Sequence, residues 1–328
     1  MDAHSPSVYC FGEALVDGFV GNHTNGKEQE HSGAIEYTLG GAPTNTAAGL
    51  AKLGVNVSLI AEVGDDEYGK SIRNELVEHG VHIEHVLVNE SEPTTRAMVT
   101  LGPSGARSFD FFRGAHEKIT PRDVSLPNET FLLHFGSIMQ IGETGAQATQ
   151  KLISQAKKHG TILSYDPNIR EKLWENLNRA RDVILATAKE VDILKISEEE
   201  AHILSPDTTF EEAAQQLCTD NLEILIITRG REGCYFMTKK FNGYLPTISV
   251  DAVDTTGAGD AFNAGFIYQL LRTKKRVSEL TRKELEQKLR FAEVVGSLTT
   301  TKKGALTAFP TIHEIYMYTD FIQNIQPT

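Results

Sequence analysis

Residues 254–262 read DTTGAGDAF. Gly257, Ala258 and Gly259 have small or absent side chains, so their N–H groups can converge on one point. A helix beginning near Gly259 would aim its N-terminal partial charge at the same place. Together these groups make an anion hole, and Asp260 follows at once. A cradle for phosphate oxygens beside a carboxylate able to take the proton of an attacking alcohol suits phosphoryl transfer to a hydroxyl. At a helix N-terminus Asp260 is expected to stay ionised at neutral pH, since free Asp titrates near ~3.9. The same nine residues also allow a plainer reading, an Asp capping a helix after a glycine turn.

A second stretch competes for the phosphate. GDDEYGKS, residues 64–71, fits G-x-x-x-x-G-K-[ST], follows the strand-like VSLIAEV and opens a helical segment. Its interior argues against the match. Asp65, Asp66 and Glu67 would crowd carboxylates around a polyphosphate, at about 4 kcal/mol per close pair at an intermediate dielectric. The segment is expected to be a capped turn bordering the site.

The elements that position these residues alternate. SVYCFG, VNVSLIAEV, FLLHFGS, TILSYD, VDILKIS and LEILIITR are short apolar runs, the pattern of strands buried on both faces. Helical stretches lie between them: TNTAAGLAKLG, YGKSIRNELVEHG, and GAQATQKLISQAKKHG with Gly160 as its terminator. Such order implies right-handed crossovers and a mostly parallel central sheet with helices on both faces, an α/β fold with its ligand outside the carboxyl ends of the strands. Residues 14–39 and 94–113 instead alternate polar and apolar, as in TTRAMVTLG and RSFDFFR. They are expected to form a small antiparallel β lid on a single domain spanning 1–328.

The chain has 328 residues, 40% apolar and 23% charged, with a formal net charge of -12. This composition is globular, and the acidic balance weighs against a nucleic-acid partner. Cys10, Cys218 and Cys234 are too dispersed for a zinc site or disulfide framework. MDAHSPSVYCFGEALVDGF lacks a basic n-region, and no run approaches the ~18 apolar residues of a membrane span. A cytoplasmic protein without membrane association is expected.

DTTGAGDAF resembles the C-terminal signature of the ribokinase-like (PfkB) carbohydrate kinases, and GGAPTNTAAGLAKLG, residues 40–54, resembles their N-terminal sugar-binding signature. The similarity runs from about Val8 to Pro310. It implies a ribokinase-like fold, ATP and a small-molecule sugar as substrates, Asp260 as catalytic base, and Gly257, Ala258, Gly259 and the Asp260 backbone as the anion hole. Asp17, Gly40, Gly41 and Asn45 would hold the sugar, beside Asp260. From ITRGREG come Thr228, Gly230 and Gly233 near the nucleotide, with Gly257 and Gly259 on its phosphates. YDPNIREKLW resembles a fructokinase segment in which Asn168 faces phosphate-bound water and metal, and Arg170 the transferring phosphoryl or the sugar. Lys195 would join the nucleotide contacts.

SFDFFRGAHEKIT similarly implies Arg113 on the substrate side, with Phe109 and Phe111 lining the sugar face. Glu200 of SEEE keeps the acid that is associated through water with Mg2+, although Ser197 replaces the usual Asn. Glu293 stands in FAEVVGSLTTTKKGA where Asn is usual beside the adenine. Asp254, Thr256 and Gly304 resemble a monovalent-cation site, which implies K+. The motif set is similar to fructokinases, implying D-fructose 6-phosphorylation. An acidic sugar, 2-keto-3-deoxygluconate, is the alternative that Arg107 and Arg113 keep open, and a non-catalytic relative is a further one. A homodimer through the lid is also expected.

Overall fold

The computed structural model describes residues 7–20, 35–101, 107–218 and 221–323. Thirteen strands are described: β1 (Val8–Phe11), β2 (Leu15–Val20), β3 (Ile35–Gly40), β4 (Val57–Gly64), β5 (Val86–Asn89), β6 (Arg96–Leu101), β7 (Arg107–Phe112), β8 (Leu132–Phe135), β9 (Ile162–Tyr165), β10 (Ile193–Ser197), β11 (Ile224–Thr228), β12 (Cys234–Met237) and β13 (Asn242–Leu245). The principal helices are α1 (Ala42–Lys52), α2 (Glu67–Glu78), α3 (Glu143–His159), α4 (Leu177–Ala188), α5 (Glu198–Leu204), α6 (Phe210–Leu217), α7 (Ala258–Thr273) and α8 (Arg282–Thr299).

Nine strands form one sheet in the order β13-β12-β11-β10-β9-β8-β1-β4-β5. All neighbours from β5 to β11 pair in parallel, and β12 and β13 extend the sheet antiparallel. Side chains alternate across this sheet, as a strand's period of two requires. Val8 and Cys10 of β1 pack in a core with α1, α2, α7 and α8, whereas Tyr9 and Phe11 pack in a second core with α3, α4, α5 and α6. The expected apolar runs are thus β1, β4 and β8 to β11. Between β1 and β8 the strand order changes direction, which opens a crevice at their carboxyl ends.

A separate four-stranded sheet has the order β3-β2-β6-β7. The expected antiparallel pairing holds for β2 with β3 and for β6 with β7, and the two pairs meet through the parallel neighbours β2 and β6. Both enter this sheet from the same side, β2 leaving β1 directly and β6 leaving the turn at Pro93 and Thr94. Among the described residues no helix is long and apolar enough to cross a membrane.

Helix ends follow local chemistry. α3 stops at Gly160, whose φ of 72° is the left-handed conformation that ends a helix at low cost for glycine. α1 starts after Gly41, φ 105°, with a proline in its first turn. GDDEYGKS forms the expected capped turn: Asp66 accepts the Gly69 N–H at 2.8 Å and both the N–H and hydroxyl of Thr94. Lys70, which a phosphate loop would aim inward, lies on the surface 3.3 Å from Asp65.

Candidate active site

Two helix N-termini meet over the crevice. α7 begins after Gly257, whose φ is 76° and where an added Cβ would stand 2.8 Å from that of Ala305. Gly257 therefore tolerates neither another side chain's backbone preference nor its bulk. Asp260 is in the first turn of this helix and Asn45 in that of α1. Because the two helices pack together, Asn45 Nδ2 donates to Asp260 Oδ2 at 2.8 Å. Asn45 Oδ1 is buried and accepts no hydrogen bond among the described residues, leaving an acceptor open to a donor.

Beneath them lies a polar cluster in which the expected Lys195 meets two residues that the sequence reading did not single out, Asp166 and Asn263. Asp166, just past β9, accepts Lys195 Nζ and Asn263 Nδ2, both at 2.7 Å and all three nearly fully buried. Lys195 interrupts the apolar run of β10. It points toward α7, where a Cβ on Gly259 would stand 2.8 Å from Nζ. Burial works against its charge, but Asp166, Glu200 and Asp260 outweigh burial and hold it above the ordinary lysine range. The ammonium thus reinforces the positive end of α7.

Asp260 departs from expectation. Its carboxyl is pushed up to about 7 by burial, with Asp166 adding repulsion, while the Asn45 hydrogen bond, Lys195 and Arg170 pull it down. Enclosure in the crevice outweighs the helix terminus. Two more carboxyls lie toward Arg170. Burial lifts Glu13 to about 7, against N–H donors and Arg170 and with Asp17 adding to the rise. Burial lifts Asp17 to about 6, again opposed by Arg170. Glu13 Oε1 accepts the Ala42 N–H at 2.9 Å and its carbonyl accepts the Thr44 hydroxyl at 2.7 Å, tying the end of β1 to the start of α1. Gly40 backs onto Asp17 and Gly41 onto the Glu13 carbonyl, so a side chain at either would collide.

A cavity of about 430 Å³ extends from α7 toward α8. Its walls include the expected Thr228, Gly230, Gly233, Ala258 and Gly259, together with Phe262, Glu293 and Ser297. Asp254 Oδ1 accepts the N–H and hydroxyl of Thr256, at 3.0 and 2.7 Å, and Oδ2 accepts the Gly304 N–H at 2.9 Å. The three residues expected at a cation site are therefore gathered into one loop junction. Glu200 caps α5 and accepts the Ser197 N–H at 2.8 Å and the Ile169 N–H at 2.6 Å, fixing the loop that carries Asn168 and Arg170. Asn168 adopts a φ of 45°, a left-handed conformation that Asn accepts more readily than most residues. Among the described residues no three His, Cys, Asp or Glu side chains converge to hold a metal directly.

The model of the pfkB family of carbohydrate kinases matches residues 5–312. A relative from Arabidopsis thaliana named "Probable fructokinase-2" is 38% identical over 309 residues, covering 93% of each chain. The chain belongs to the pfkB carbohydrate kinase family. The kinase is also similar in structure to a fructokinase with bound ATP from Xylella fastidiosa, with a TM-score of 0.86, 28% identity, and coverage of 96% of this chain and 98% of that one. A fructokinase double mutant from Vibrio cholerae O395, in a form with fructose, ADP and potassium ion bound, gives a TM-score of 0.84 at 25% identity, covering 97% and 99%.

The other sequence-predicted residues of the kinase fall at the margins. Arg170 is exposed at the rim, near enough to act on Glu13, Asp17 and Asp260. Phe111 is half-buried, its ring 6.0 Å from that of His116, and the Phe109 and Arg107 side chains lie outside the described residues. Arg113 donates to Glu117 and to the Leu173 carbonyl, each at 2.6 Å. Beside Leu173 sits Trp174, the chain's one tryptophan, 5% exposed, its buried indole N–H without a described acceptor. Asp166, Asn263 and Glu13 were missed. The signals were there: Asp166 and Glu13 follow strand ends, and Asn263 lies three residues past Asp260 on one helix face.

Proposed function

We propose that the protein transfers the γ-phosphoryl group of ATP to the 6-hydroxyl of D-fructose, giving fructose 6-phosphate and ADP. The observation that carries this reading is the Asn45–Asp260 pair: a base held at 2.8 Å by an amide whose other end is a buried, unsatisfied acceptor, beside the N-terminus of α7. The free Asn45 oxygen and the Asp17 carboxylate take sugar hydroxyl protons as hydrogen-bond acceptors, over the Gly40–Gly41 backbone. Asp260 accepts the proton of the reacting hydroxyl as the new O–P bond forms and the bond from the γ-phosphorus to the β-bridging oxygen breaks. The N–H groups from Gly257 to Asp260, with Lys195 and Arg170, hold the charge that builds on the transferring oxygens.

Thr228, Gly230 and Gly233 line the nucleotide side. The donor set fits Mg2+ brought by the triphosphate and keeping its waters, with Glu200 and Asn168 holding those waters and the ion neutralising phosphate charge. The Asp254, Thr256 and Gly304 junction fits K+ in a supporting role, ordering the start of α7. The names and titles of the relatives support fructose. Glu13 and Asp17 beside Arg170 favour a neutral sugar over the carboxylate of 2-keto-3-deoxygluconate, and intact Asp260 and glycines favour a catalyst over a silent relative. Tyr37 and Phe112, 39% and 49% exposed on one face of the small sheet, fit a homodimer through it. Light scattering tests that point.

A coupled ADP-release assay with Mg·ATP and K+ tests the whole reading, offering D-fructose, D-ribose, 2-keto-3-deoxygluconate, adenosine and fructose 6-phosphate separately. Turnover on fructose is expected. Turnover confined to another acceptor overturns the sugar, and silence on all five overturns the activity.

A further inference from the structure

Glu293 belongs to no step above. It lies on α8, only 6% exposed, in the wall of the cavity of about 430 Å³. Its carboxyl accepts hydrogen bonds from the Cys234 thiol of β12 and the Thr247 hydroxyl just beyond β13. The Thr247 hydroxyl is in turn 2.5 Å from that of Ser297, one turn further along α8. Thr247, Glu293 and Ser297 all line the cavity, so the carboxyl shares its wall with two hydroxyls. Cys234 is the titratable group that faces it from β12. On its own helix Arg290 acts on that thiol, and Arg231 is a charged group elsewhere on the cavity wall.

Resting on the assignment of this cavity to the nucleotide, we propose that Glu293 is the positioning residue through which pH acts on nucleotide affinity, the kinase taking up a proton at this carboxyl when nucleotide binds. The argument is linkage. A base settling against the wall removes the remaining water from the carboxyl, and the phosphates add negative charge nearby. Both favour the neutral acid. Burial has already lifted Glu293 to about 7, with the Cys234 and Thr247 hydrogen bonds opposing the rise, so the proton is exchanged near neutrality. A group whose pKa rises on binding strengthens binding below its free-state pKa and weakens it as pH climbs through the bound-state value. Nucleotide affinity should therefore fall as pH rises through neutrality, by about tenfold for each unit that binding adds to the pKa.

Calorimetric titration of Mg·ADP into the kinase, in two buffers of different ionisation enthalpy, reads proton uptake without turnover. Wild type should take up a fraction of a proton near neutral pH. Glu293→Gln, the same shape and permanently neutral, should bind as tightly as wild type does at acid pH and show correspondingly less uptake. Protons belonging to the ADP phosphates or to Asp260 are common to both proteins and cancel in the difference. Thr247→Val removes a hydrogen bond that holds the pKa down, so it should move the uptake window to higher pH. Equal uptake by wild type and Glu293→Gln, with both binding Mg·ADP, overturns the role of Glu293 and leaves the kinase assignment standing. Absence of Mg·ADP binding to wild type overturns both.

Discussion

Asp260 and Asn45 act as one unit at the residue scale. Replacing Asp260 with Asn should lower kcat by about 10² to 10⁴ while leaving the KM for sugar nearly unchanged, since the amide keeps shape but cannot take the proton. Steady-state kinetics on fructose checks this. The proposed mechanism needs Asp260 ionised, so kcat/KM should rise with pH along an acid limb shared by Asp17, near 6, and Glu13 and Asp260, near 7. Asn45 pulls the Asp260 pKa down. Asn45→Ala should therefore displace the acid limb to higher pH as well as weaken sugar binding, and a pH–rate profile measures the displacement. A limb that stays in place would detach Asn45 from the base.

Elements set how closely these residues meet. At Gly257 an Ala would be strained at a φ of 76° and would press on Ala305. Gly257→Ala should cost about 1 to 3 kcal/mol of stability and raise the KM for ATP, read by denaturant melts and kinetics. Much of this scale was legible in the sequence. The apolar runs of β1, β4 and β8 to β11 stand out because both faces are buried, and the glycine signatures mark the starts of α1 and α7. β5, β12 and β13 escaped notice: each has four residues, and β5 and β13 carry exposed positions that break the run. Asp166 and Glu13 escaped for another reason. Their weight comes from burial and from partners far along the chain, Asn263 lying 97 residues from Asp166 and Ala42 lying 29 from Glu13, which no local pattern encodes.

For the whole molecule, the site leaves a mark on stability. Burial holds His116 and His134 down near 4, so the unfolded chain binds more protons there and stability rises with pH until those histidines would be neutral in the unfolded chain, at about 6.5. Glu13, Asp260 and Glu293 are displaced the other way, to about 7. Their protonated folded forms contribute stability that is present at low pH and lost as pH rises through the folded-state pKa. Above about 6.5 only the carboxyl effect remains. From about pH 6.5 toward about pH 8 the Tm of the ligand-free kinase should thus fall by about 2 to 5 °C. Thermal melts across that range check it, and a Tm that climbs instead would contradict these carboxyl environments. One further consequence follows from the contact of Arg113 with the Leu173 carbonyl. It joins the end of the small sheet to the segment that carries Arg170, beside the chain's single indole at Trp174. The kinase therefore carries its own optical gauge at that joint. With excitation beyond the tyrosine band, emission should come from this one buried ring, and a displacement of the small sheet on sugar binding should be read there as a change in colour or intensity, with no label attached.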